Sequence, residues 1–162
     1  MDTNFRTQVS RMLDEEHRAN LELLHRVEKA LARPDAGDPE LARLARVLAP
    51  HLEQELAHHF EFEERELFPR MAEAGDGDLG DLLAEEHVAI RSIADELLPL
   101  ARTAATGGLD APSLAAFRRA ALEIVERLVG HIEKETIALL PLVDDLLDDD
   151  TDRDLALSYA TC

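Results

Sequence analysis

Four histidines and two glutamates recur in this chain in a pattern that could supply the ligands for two metal ions. Glu15, Glu16 and His17 are followed more than forty residues later by HFEFEERELFP, where His59 and Glu63 stand four apart and Pro69 closes the string. The second half repeats the order: Glu85, Glu86 and His87, then HIEKETIALLP, with His131, Glu135 and Pro141 in the matching places. Residues four apart on a helix share a face, so each His-x-x-x-Glu pair can turn an imidazole nitrogen and a carboxylate toward one ion. One such pair would be read as a solvated polar face. Two in register are flanked by Phe60, Phe62, Leu67 and Phe68 and by Ile132, Ile137, Leu139 and Leu140, which suits an interior where an unpaired charge is costly. Nitrogen and carboxylate oxygen without thiolate suit iron, manganese or zinc. Two carboxylates can bridge two ions while the histidines fill terminal positions, and iron is favoured because a close redox-active pair can pass two electrons to dioxygen or peroxide.

The elements that must carry these residues are helical. Ala, Leu, Glu, Asp and Arg dominate and aromatics make up 4%, which favours helices over strands. Val9, Met12, Leu13, Leu21, Leu24, Val27 and Leu31 form a stripe that predicts a first helix from about Phe5 to Leu31. Asp38 and Pro39 read as a cap and first turn of a second helix reaching about Ala74, with a kink or short preliminary helix at Pro50. The Gly75 to Asp78 turn precedes a third helix over about Leu79 to Ala104, and Asp110-Ala111-Pro112-Ser113 starts a fourth that runs to about Leu147. The expected fold is all-α, an up-down-up-down antiparallel four-helix bundle in one domain over 1–162. Its helical hairpins span about 5–74 and 79–147, and the tail 148–162 carries a short helix at Leu155 to Tyr159. His17 to His87 is 70 positions, and His59 to His131 and Glu63 to Glu135 are 72 each, so a pseudo-twofold axis between the two ions is expected.

Composition excludes several classes. The net charge of −18 repels nucleic-acid phosphates and anionic membranes, so neither is an expected partner. No stretch has the apolar length of a transmembrane helix, and the single cysteine, Cys162, forms no intrachain disulfide, so a reducing, cytoplasmic setting is expected. The acidic run from Asp144 to Asp154 lacks the glycine and terminal glutamate of an EF-hand and reads as a solvated helix end and linker.

The order His, HxxxE, His, HxxxE resembles the hemerythrin-like HHE cation-binding family over almost the whole chain. HFxxEExxLFP around His59 is similar to the family signature; the second string fits more loosely, with Thr136 where a second glutamate is common. The resemblance implies His17, His59, His87 and His131 as terminal ligands, Glu63 and Glu135 as bridges, and an oxo, hydroxo or water bridge between two irons, with zinc or manganese as substitutes. Oxygen carriers of the family have a fifth histidine one turn from the third-helix ligand; Leu83 and Arg91 stand there in this chain. The expected function is a non-haem di-iron protein that binds or reacts with O2, NO or peroxide in sensing, detoxification or iron-centre protection. Catalase-like or NO-scavenging activity and an unidentified protein redox partner are open.

The other candidate groups are weighed by position. His25 and His58 point well away from the ligand histidines of their helices. Glu55 could hydrogen-bond the free nitrogen of a ligand histidine, whereas Glu66, Glu22, His25 or Tyr159 could fill an open coordination position. Glu16 and Glu86 read as surface charges. A ferritin-like carboxylate oxidase needs a Glu-x-x-His pair from each of two helices; Glu55 with His58 is one such pair, but Leu128 stands where the glutamate paired with His131 would be. A metal-stabilised structural or interaction bundle is the other alternative.

Overall fold

The computed structural model describes residues 4–35 and 37–161, and every regular element among them is helical. Cys162 lies outside the described residues. Helix α1 is Gln8–Leu31, opened by Thr7, whose hydroxyl accepts the Ser10 amide at 3.2 Å. Helix α2 occupies 39–73, with Asp38 capping the Glu40 amide ahead of Pro39. Helix α3 is Gly77–Ala105. Helix α4 occupies 111–146, and the Asp110 carboxylate accepts the Ser113 amide at 2.8 Å. Helix α5 is Asp149–Thr161, longer than the short helix expected at Leu155 to Tyr159.

Helices α2 and α3 end in the same way. Gly75 and Gly107 take φ of 94° and 73°, and the amides of Asp76 and Gly108 reach back to the carbonyls of Met71 and Thr103. The left-handed residue lets the chain reverse while satisfying the last carbonyls, and glycine adopts it without strain.

Prolines shape the two helices that carry the His-x-x-x-Glu pairs. At Pro50, where a kink or a short preliminary helix was expected, the α-helical segment Pro39–Pro50 passes into a π-turn at His51–Glu55, in which the Leu56 amide bonds the His51 carbonyl. Further π-turns occupy Glu63–Leu67 and Glu135–Leu139, closed by Phe68 to Glu63 and Leu140 to Glu135 and followed directly by Pro69 and Pro141. A proline ring presses on the carbonyl four residues back and offers it no N–H, and at Pro69 and Pro141 the turn widened by one residue just before the proline relieves that conflict.

Helix α1 packs on α2 and α4, and α3 packs on α2 and α4, so the four enclose a common interior; α5 lies against α1. That interior holds two apolar clusters. One includes Leu24, Leu31, Leu48, Phe60, Leu97, Phe117 and Ile124; the other includes Phe5, Val9, Leu13, Phe68, Met71, Leu83, Leu140 and Tyr159. The recurrent histidines and glutamates lie between them. The acidic C-terminal run is not simply solvated. Asp152 is buried and accepts the Gln8 and Val9 amides, each at 2.9 Å, while Asp144 accepts the Arg6 and Thr7 amides at 3.2 and 2.7 Å. The unpaired N–H groups and positive end of α1 draw these carboxylates in.

Candidate metal centre

Each of the four helices delivers part of one buried polar layer. His17 sits in the apolar stripe of α1, His59 and Glu63 on α2, His87 on α3, and His131 and Glu135 on α4. None is more than 4% exposed, and both glutamates are at 0%. They form two groups that could each hold a metal ion: His17, His59, Glu63 and Glu135, and Glu63, His87, His131 and Glu135. The two glutamates belong to both groups.

The distances show how they are shared. Glu63 sends Oε1 to His59 Nε2 at 2.8 Å and Oε2 to His87 Nε2 at 3.2 Å. Glu135 sends Oε2 to His17 Nε2 at 2.9 Å and Oε1 to His131 Nε2 at 2.6 Å. Each carboxylate thus gives one oxygen to each group. Despite these short separations, Glu63 Oε1, Glu63 Oε2 and Glu135 Oε1 have no hydrogen-bond partner of proper geometry. Glu135 Oε2 alone is hydrogen-bonded, to His17 Nε2, and the other three oxygens face imidazole nitrogens without a hydrogen bond. Unsatisfied buried carboxylate oxygens are costly, and a cation placed among them removes that cost, so the residues fit metal ions.

The outer nitrogens are all engaged. His59 Nδ1 meets Glu16 Oε2 at 2.7 Å and His131 Nδ1 meets Glu86 Oε2 at 2.7 Å. His87 Nδ1 meets Glu64 Oε1 at 3.0 Å, and His17 Nδ1 meets the Thr136 hydroxyl at 3.0 Å. An acceptor on Nδ1 fixes its proton there and turns the Nε2 lone pair inward, the arrangement usual for metal-binding histidines. Phe60 stacks on the His87 ring at 3.7 Å and meets His131 edge-on, which fixes both rings and excludes water.

Charge follows from this geometry. Burial alone would push the Glu135 carboxyl up, but the imidazoles of His131, His17, His59 and His87 outweigh it and hold it well below the ordinary range. Burial would lower the histidines, yet Glu63, Glu135 and Glu16 raise His59 well above its ordinary value. Against the same effect of burial, Glu135 and Glu63 raise His87 to about 9, and Glu135 and Glu86 raise His131. A metal ion would therefore have to compete with protons for these nitrogen lone pairs.

Several expectations change. Glu16 and Glu86 are not plain surface charges: each is half-buried and orients a histidine across the helix interface. Their repetition in step with His17 and His87 was the available signal. Glu55 does not reach a histidine of the centre; it bonds His51 Nδ1 at 2.7 Å. His59 directs Nε2 along its own helix to Glu63, which leaves Nδ1 facing Glu16 on α1. Ile137, expected inside, is 77% exposed, because two residues beyond Glu135 is the far side of the helix. Glu22 and His25 face solvent, while Glu66 is half-buried and near Arg70. His58 stacks on Tyr159 at 4.3 Å. Tyr159 is not in either group, but its hydroxyl donates to Glu16 at 2.7 Å, one residue removed from His59. Of the two positions flanking His87 by one turn, Leu83 is buried in the core and Arg91 pairs with Glu64.

The fold and site define a helical bundle whose interior holds two overlapping sets of side chains that could each hold a metal ion. The model of the hemerythrin HHE cation-binding domain matches residues 8–143, and the chain belongs to that family. No curated protein matches it. No described helix is long and apolar enough to cross a membrane.

Proposed function

We propose that this chain is a non-haem di-iron protein that binds or reacts with a small oxidant, dioxygen, nitric oxide or hydrogen peroxide. The observation that carries the reading is the sharing of Glu63 and Glu135 between two buried groups, one oxygen to each. His17 and His59 would hold one ion, His87 and His131 the other, and the two carboxylates would span both. Zinc or manganese satisfies the same donors. When bound, a redox-active pair supplies electrons to the oxidant.

The protein's own residues set what can arrive. The six side chains are buried, so only small molecules reach them without unfolding. A groove of about 940 Å³ between α3 and α4 is lined by Glu86 and His131, and a pocket of about 140 Å³ is bounded by Glu16, His51, His58, His59 and Tyr159. Both open beside histidines of the centre. The second apolar cluster precedes His17 and His87 in α1 and α3 and, apart from Phe62, follows Glu63 and Glu135 in α2 and α4. That order supports an up-down-up-down antiparallel bundle in a single domain, with α5 added outside it. The acidic charge and single cysteine support a cytoplasmic protein that takes electrons from a protein partner.

The test is anaerobic reconstitution with ferrous iron, counting metal per chain and recording the visible spectrum before and after exposure to air, peroxide or nitric oxide. Two irons and a new ferric absorption are expected, and the oxidant that changes the spectrum fastest identifies the ligand. Iron that binds without any spectral response would favour a structural role. Failure to bind iron would refute the assignment.

A further inference from the structure

The two halves of the centre are backed by different charges. Behind the second group, Glu64 is paired with Arg91 through bonds of 2.7 and 2.9 Å, and Glu86 is paired with the Lys134 ammonium. Behind the first group, Glu16 takes the neutral Tyr159 hydroxyl, and His17 meets the neutral Thr136 hydroxyl. Glu63 and Glu135 divide their oxygens evenly, so they do not favour either side. The outer groups therefore leave one negative charge behind His17 and His59 and none behind His87 and His131.

We propose that Glu16, held by Tyr159, and the cations Arg91 and Lys134 make the two metal positions inequivalent, so that a divalent cation fills the His17–His59 position first. This rests on the dinuclear reading above. A carboxylate on the outer nitrogen raises the donor strength of an imidazole, and a cation on the far side of that carboxylate withdraws part of the effect. Thr136 offers His17 less than a carboxylate would, but the carboxylates of the other half are each neutralised. Tyr159 lies beyond the residues matched to the family, on α5, so the neutral backing of Glu16 comes from an element outside the matched domain.

The test is anomalous diffraction at the zinc edge on crystals of the full chain, stripped with chelator and given one equivalent of zinc. Occupancy at the His17–His59 position is expected to exceed that at the other by about tenfold, the lower end of the effect of such outer partners. Glu16→Gln keeps the shape and removes the charge, and should bring the ratio within about threefold of unity on the same basis. The double variant Arg91→Met with Lys134→Met should shift the preference toward the His87–His131 position. Equal occupancy in the unaltered chain, preference for the other position, or a ratio unmoved by Glu16→Gln would overturn the inference. Zinc at neither position would overturn the dinuclear reading itself.

Discussion

Glu135→Leu tests the shared-carboxylate geometry most directly, because it removes the charge and both oxygen donors while roughly keeping the volume. Glu135 places one oxygen 2.9 Å from His17 Nε2 and the other 2.6 Å from His131 Nε2, so each metal position should fall from four protein donors to three. Four-donor zinc sites bind with roughly 10–16 kcal/mol, which is about 3 kcal/mol per donor. Each position should thus weaken by about a hundredfold, and the product of the two binding constants by about 10⁴. His131→Ala supplies the contrast: it removes a donor from one group alone and should weaken one ion by about a hundredfold while sparing the other. The assay is competition for zinc against a chromophoric chelator, with metal counted per chain and helicity checked by circular dichroism. A Glu135→Leu variant that keeps both ions within tenfold of the parent, or loses only one, would refute the reasoning.

Three further outcomes are expected. Because His87 is raised from 6.5 to about 9, its protonation stabilises the metal-free fold fully below about pH 6.5, and that contribution is lost as pH rises toward 9. The gain in Tm on adding zinc should therefore be larger at pH 9 than at pH 6, and calorimetry in buffers of different ionisation enthalpy should show proton release on loading. Asp152→Ala removes the acceptor for the Gln8 and Val9 amides and should cost about 1–3 kcal/mol, a fall in Tm of roughly 2–10 °C, with faster proteolysis at α5. Phe60→Ala opens a cavity against His87 and should cost about 3–5 kcal/mol in chemical denaturation; a loss below 1 kcal/mol would show that the ring is not a packed wall of the centre.

Much of the centre was legible because helical geometry is local. A four-residue spacing puts His59 with Glu63 and His131 with Glu135 on one face whatever surrounds them, and the in-step repetition tied His17 and His87 to the same layer. Helix ends were equally readable from Asp38-Pro39, Gly75, Gly107 and Asp110, since caps and left-handed turns depend on the residues at the ends themselves. The π-turns were not anticipated, although Pro69 and Pro141 mark them. A proline tells that the α-register must give way but not how the chain will relieve it.

The partners of the outer nitrogens depended on which helix faced which. Glu16 meets His59 across 43 positions and Glu86 meets His131 across 45, contacts that no local spacing predicts. The same holds for Glu55, which stayed with His51, and for Tyr159, which α5 carries back to Glu16 from the far end of the chain. Residue type and helical period by themselves determined an all-helical chain with paired imidazole and carboxylate donors, because both are properties of one helix. Only the packed bundle decided how each glutamate divides its two oxygens and which charge stands behind each histidine, because those depend on distances between side chains of different helices.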